Sequence, residues 1–203
     1  MENQLARGLS FLFHPLLVPC YCLLLLLNTE SIVPMDVPVA YQLTLLGIVF
    51  LITFLFPLFL TYLLFRLQMI SSFFLPAKEE RTYLLAAVAV FYYVTYYLLK
   101  GIPIAAIFGY YMLGATIMAI LAMIINFYFK ISLHMIGLGS LTGLFSGLSF
   151  KYGIHFYGII LPVIILAGIT GFARLKLLAH TPAEIYSGFL LGLAVLSLLI
   201  IAG

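Results

Sequence analysis

Apolar residues run through this chain in long, unbroken stretches instead of the ten-residue alternating segments of a membrane barrel. Such runs predict helices, and at about 20 residues per crossing they are long enough to span a bilayer. Seven segments can be drawn, at residues 9–28, 41–65, 83–99, 102–128, 133–150, 154–172 and 183–202. Turn signals separate them. Pro34 and Pro38 bracket the first loop, Gly101 and Pro103 follow Lys100, and Lys151-Tyr152-Gly153 closes the fifth segment. The expected fold is an all-α, polytopic transmembrane helical bundle of six to seven spans, forming one integral-membrane domain over residues 1–203.

Composition fits that pattern. Of 203 residues, 66% are hydrophobic and only 7% charged, with a mean hydropathy of +1.27. Soluble domains are about half apolar and a quarter charged, so a water-soluble globule is excluded. Lipid offers no hydrogen bonds to an open backbone, which again selects helices. A net charge of +3 scattered over isolated positions makes no basic patch for nucleic acid. The first run is longer than a signal-peptide core and lacks a small-residue cleavage site, so it reads as a retained span. Cys20 and Cys22 lie two apart within it, where helical side chains do not face each other, and read as small core hydrophobes. Gly137, Gly139, Gly143 and Gly147 permit close backbone approach and place the fifth span centrally in the packing. Tyr92, Tyr93, Tyr96 and Tyr97 read as an interfacial aromatic belt.

The ionisable residues narrow the chemistry. From Thr82 to the end there is a single acid, Glu184, against five bases and three histidines. Successive crossings return the chain to the membrane side of its N-terminus at Lys78-Glu79-Glu80-Arg81, at Lys130 to His134, and at Arg174 to Glu184. Polar clusters of complementary type thus lie on one face, where ionisable groups at membrane depth mark pairing or function. His180 and Glu184, four apart, are neighbours on a helix face, and a carboxylate that takes one imidazole N–H leaves the other nitrogen as nucleophile or base. Thr181-Pro182-Ala183-Glu184 is equally a capping box, so both roles stand for Glu184. Ser132 reads first as an N-cap, although a phosphate at that helix start would meet Ser132 and His134 together. Lys130 reads as a snorkelling lysine beside it, and Lys78-Glu79-Glu80-Arg81 as a solvated interfacial loop. His14 precedes Pro15 and is expected to bond a backbone carbonyl freed there, or to lie in a second layer around the site; His155 lies on the opposite face.

Taken in order, the three clusters resemble the type 2 phosphatidic-acid phosphatases, whose motifs run K-x6-R-P, P-S-G-H and S-R-x5-H-x3-D. Arg174 and His180 match the third motif, with Ala173 for serine and Glu184 for aspartate. Ser132 and His134 match the second, with Ile131 for proline and Leu133 for glycine. Arg81 followed by Thr82 stands for the first, where Phe74 occupies the lysine position and Lys78 is the nearest substitute. The similarity covers residues 78–192.

That resemblance implies a lipid phosphatase that hydrolyses a phosphomonoester or diphosphate through a phosphohistidine. His180 would be the nucleophile, Glu184 its orienting partner and His134 the acid and base. Arg174, Arg81, Lys78, Ser132 and Lys130 would hold the phosphate, with no metal and no cofactor. Lipid phosphates and membrane lipids are the implied partners, and the alternative is an inactive bundle of the same fold that binds lipid or assists assembly. The membrane expected is a bacterial inner membrane, with the N-terminal side in the cytoplasm because an N-terminus inside needs no further assumption; seven bases on that side against two on the other would agree with it. Removing Lys78, Arg81, Lys130 and Arg174, whose places phosphate binding would explain, leaves three against two, and the family more often works on the outer face. A transporter would gather its charges at the midplane instead.

Overall fold

The structure, a computed structural model, describes residues 2–29, 37–72, 78–102 and 106–203, without the side chains of Glu2 and Lys78. It is all-α, and seven stretches are long and apolar enough to cross a membrane: Asn3–Leu27, Val39–Arg66, Glu79–Leu99, Ala106–Asn126, Leu133–Tyr152, Tyr157–Lys176 and Pro182–Ala202. This is an integral membrane protein. Pro34 and Pro103 lie outside the described residues. Two compact units share the chain, one of Met1–Val18 with Tyr128–Gly203 and the other of Pro19–Phe127.

The first unit opens with α1 (Glu2–Leu12), which packs along a later helix, α8 (Tyr157–Lys176). Proline disfavours helical geometry in the residue before it, so His14 is extended (ψ 134°) and the chain re-enters a single 3-10 turn at Pro15–Leu17. The unit resumes with α7 (Leu133–Tyr152), then α8, then α9 (Pro182–Ala202). Helices α7 and α9 run parallel in intimate contact, for Gly188 meets the start of α7 while Gly147 meets Ile200 at its far end. Gly139 and Gly143 face the carbonyls of Phe189 and Leu193, and Gly192 faces that of Ile136. Any side chain there would strike backbone. The spacing of four on both helices is the small-residue pattern that lets backbones touch in lipid. Helix α7 is the most buried span, as its glycines predict.

The second unit holds α2 (Val18–Leu27), α3 (Val39–Phe50), α4 (Phe56–Arg66), α5 (Lys78–Leu99) and α6 (Ala106–Asn126), Val18 itself falling in the first unit. A π-helical turn, Leu51–Leu55, joins α3 to α4 just before Pro57, whose missing N–H breaks the regular ladder. Cys20 and Cys22 are free and buried, as expected. Two expectations fail here. The charged run at 78–81 is the first turn of α5 and not a loop: Glu79 and Glu80 sit at its electropositive start, and Glu80 Oε1 accepts from the Ser71 amide at 2.7 Å. Arg81 is buried (8% exposed). In the tyrosine belt, Tyr92 is a core residue, while Tyr93 and Tyr97 are exposed and Lys100 Nζ lies 4.3 Å over the Tyr97 ring.

Candidate functional site

Helix ends build the site, and each end has a local cause. Helix α8 stops in a Schellman turn, with Leu178 N bonded to Leu175 O at 2.9 Å and Ala179 N to Arg174 O at 3.1 Å. Leu178 takes the left-handed position (φ 51°), where glycine is usual. This turn hooks the chain back so that His180 returns beside the end of the helix that carries Arg174. The next residue, Thr181, caps α9, and Pro182 fills its first turn.

Glu184 performs both roles that its spacing allows. Its Oε2 accepts from the Thr181 amide at 3.0 Å, and the Thr181 hydroxyl accepts from the Glu184 amide at 3.4 Å, which completes the capping box. The same Oε2 accepts from His180 Nδ1 at 2.9 Å. With Nδ1–H held, the lone pair of the neutral ring stands on Nε2. Burial is the main influence on His180 and, with Arg174 and Lys130 nearby, draws its pKa below the ordinary 6.5 against the opposing pull of Glu184. The ring is therefore neutral at neutral pH, with Nε2 unprotonated.

The start of α7 meets this pair directly. Ser132 N donates to Glu184 O at 3.2 Å, and the position a Gly188 Cβ would take is 2.7 Å from Ser132 O. Ser132 occupies the N-cap position but makes no side-chain cap. Its Oγ is fully buried and has no hydrogen-bond partner, a correction to the capping role expected of it. Buried polar atoms nearly always find partners, so an unpartnered hydroxyl needs an explanation. Arg174 Nε is in the same condition, as are Thr170 Oγ1, one turn earlier on α8, and Ser10 Oγ on α1.

His134 Nε2 donates to the Ser10 carbonyl at 3.0 Å, which fixes that proton and leaves Nδ1 for chemistry. The His14 ring stands edge-on to His134, with centroids 5.9 Å apart and planes at 76°. The bond expected from His14 to a freed carbonyl is not the contact seen: Nδ1 accepts the Leu16 amide proton at 3.3 Å and caps the 3-10 turn. Arg174 is close enough to act electrostatically on His14, His134 and His180 alike, and His134 also feels the other two rings. Lys130 is exposed at the edge of the group and acts on His180.

One unit thus gathers His180, Glu184, His134, Ser132, Arg174 and Lys130. Arg81 belongs to the other unit, and the Lys78 side chain lies outside the described residues. His155 is exposed and stacks on Tyr157 at 5.2 Å. Among the described residues, no group of three or more His, Cys, Asp or Glu side chains is placed to hold a metal ion. The Ser10 contribution was missed by sequence reasoning, because a backbone carbonyl carries no signature. Thr170 had one, its place four residues before Arg174. Comparison with protein families, curated proteins and solved structures finds no match to this chain.

Proposed function

We propose that this protein is a membrane phosphatase that removes phosphate from a lipid phosphomonoester or diphosphate. The observation that carries the reading is the 2.9 Å bond from His180 Nδ1 to Glu184, which leaves the Nε2 lone pair for attack within the electrostatic reach of the Arg174 guanidinium. Arg174 offers a planar fork to phosphate oxygens, and the unpartnered Ser132 hydroxyl offers a further donor.

Each step balances. Nε2 of His180 attacks phosphorus in line as the P–O bond to the lipid breaks. A protonated His134 gives the Nδ1 proton to the departing oxygen, so the lipid leaves as an alcohol or, from a diphosphate, as a monophosphate. Neutral His134 then takes a proton from water at Nδ1. The resulting hydroxide attacks phosphorus, the P–N bond breaks, and inorganic phosphate leaves with His180 neutral again. Glu184 holds the imidazolium-like ring of the intermediate throughout.

A lipid suits the setting, since the site lies where spans end and acyl chains can stay in the bilayer. In this reading the site faces the cytoplasm. Single cysteines placed at Lys100 and Lys176 test that, and labelling of position 176 alone by an impermeant reagent in intact cells reverses it. The test of function is phosphate release by the purified protein from short-chain phosphatidic acid, phosphatidylglycerophosphate and a prenyl diphosphate. An alkali-stable, acid-labile phosphoprotein should be trapped during turnover and be absent in His180→Ala. Activity that survives His180→Ala refutes the mechanism. Release from none of the three favours an inactive, lipid-binding bundle.

A further inference from the structure

Helices α3 and α4 make a single span, Val39–Arg66, whose 28 residues rise about 42 Å, more than the ~30 Å hydrocarbon core of a bilayer. The core takes the middle of the span, and its last turn stands among the headgroups. The π-helical turn Leu51–Leu55 falls at the midpoint. From there an open groove of about 610 Å³ follows the helix, lined by Leu51, Leu55, Phe56, Leu58, Phe59 and Tyr62. Between Leu51 and Tyr62 the rise is about 16 Å, half of the hydrocarbon core. The lining is apolar apart from the Tyr62 phenol, which suits the boundary of hydrocarbon and water. Four residues on, on the same face of α4, stands Arg66. It is exposed, and among the described residues its side chain forms no ion pair.

We propose that this groove binds one phospholipid with an anionic headgroup, an acyl chain lying along Leu51 to Tyr62 and the phosphate at Arg66. The groove has the length of one leaflet's chain, and its headgroup end carries a cation that no acid of the described chain neutralises. A guanidinium offers a planar fork to phosphate oxygens, whereas the ammonium of a zwitterionic headgroup would be repelled by it. Branched and aromatic walls hold the chain by dispersion contacts. The site lies in the second unit, performs no chemistry and does not depend on the phosphatase reading.

The chain contains no tryptophan, so one placed in the groove reports only on its own neighbours. Full-length Leu58→Trp, reconstituted in phosphatidylcholine vesicles, should be quenched by phospholipids brominated on their acyl chains. Brominated phosphatidylglycerol should compete for the position about 5-fold better than brominated phosphatidylcholine, the attraction of one basic residue for an anionic lipid. The preference should vanish when Arg66→Gln is added. Val90→Trp, at an exposed position of α5 outside the groove, should show none. Equal competition by the two lipids at Leu58→Trp overturns the proposal, as does a preference that survives Arg66→Gln or is equally strong at Val90→Trp. Absence of quenching by either lipid also overturns it, for then a protein surface, such as a second copy of the chain, covers the groove. Should Leu58→Trp not fold, Phe59→Trp carries the same test.

Discussion

The two ends of α7 and α9 carry similar kinds of polar group and dispose of them differently. At the far end Lys151 and Ser149 are engaged by the protein itself. Lys151 Nζ donates to the Ile200 carbonyl at 3.1 Å, Ser149 Oγ accepts from the Phe156 amide at 3.4 Å, and Gly153 closes α7 in the left-handed conformation (φ 67°). At the near end, Ser132 Oγ, Arg174 Nε, Thr170 Oγ1 and Ser10 Oγ lie buried without partners. Leaving a buried donor or acceptor unmet costs about 1–3 kcal/mol each. One end is finished as structure, then, and the other is left open as a site. On the proposed reading, a ligand with several acceptor oxygens, such as a phosphate, would satisfy the donors that the fold does not.

The largest effect expected at the open end belongs to its central residues. Arg174→Ala and His180→Ala should each lower kcat/KM by on the order of 10³–10⁴-fold, as for groups that bind or attack in the transition state. Arg174→Lys should recover little, since an ammonium cannot present a planar fork. Steady-state release of phosphate from short-chain phosphatidic acid measures all three. If Arg174→Ala is silent, the contrast between the ends reflects packing alone.

Next comes the contact that sets the open end in place. Gly188→Ala would drive a methyl against Ser132 O, 2.7 Å away, and displace Ser132 from Glu184. Overpacking of this kind costs about 1–3 kcal/mol. Misplacement of the reacting groups should lower kcat about 100-fold. Gly168→Ala on α8, where an added Cβ meets nothing within 4 Å, is the control and should leave melting temperature and activity unchanged or slightly higher.

Glu184→Gln isolates the orienting carboxylate from the cap. Glutamine is accepted in a capping box, so stability should change by less than about 0.5 kcal/mol. The kcat should fall about 10- to 100-fold, because the imidazolium-like intermediate loses its counter-charge. The sign of the pH response follows from His180. Activity needs the neutral ring, so the rate falls as pH drops through the His180 pKa, which burial places below 6.5. Glu184 opposes that shift, and its replacement should move the acid limb lower still. An acid limb in kcat/KM above 6.5 in the wild type contradicts this account of the site.

Much of the fold was legible because lipid leaves few choices. Seven apolar runs became seven spans, and the glycines of α7 announced the helix that others approach most closely. The spacing of His180 and Glu184 was legible as well, down to its double role, since a helix that begins at Pro182 puts residues 180 and 184 on one face. What escaped was whatever depends on a distant segment. The N-cap rule gave the position of Ser132 correctly, and its carbonyl does accept from Ile136 in the first turn of α7, but its amide is engaged by Glu184 and its hydroxyl is turned to no cap. His14 and His134 are ring neighbours across 120 positions of chain, and His134 is held by the Ser10 carbonyl, which no side-chain pattern could announce. Arg81 looked like a loop cation and is instead a buried residue of a helix start, because two glutamates before it suit the electropositive end of α5.

The smallest effect belongs to the finished end, and it makes the comparison quantitative. Lys151→Ala removes one charge-assisted bond to the last turn of α9, at a side chain that remains exposed. Screened and partly solvated, that bond contributes at most about 1 kcal/mol, so the melting temperature should fall by a few degrees or less. Activity should stay at the wild-type level, for α7 and α9 are locked together by backbone contact along Gly139, Gly143 and Gly192, and fraying of the last turn does not travel through it. A fall in kcat comparable with that of Gly188→Ala would mean that the two ends are coupled. The open end would then be a property of the whole helix pair and not of the turns that form it.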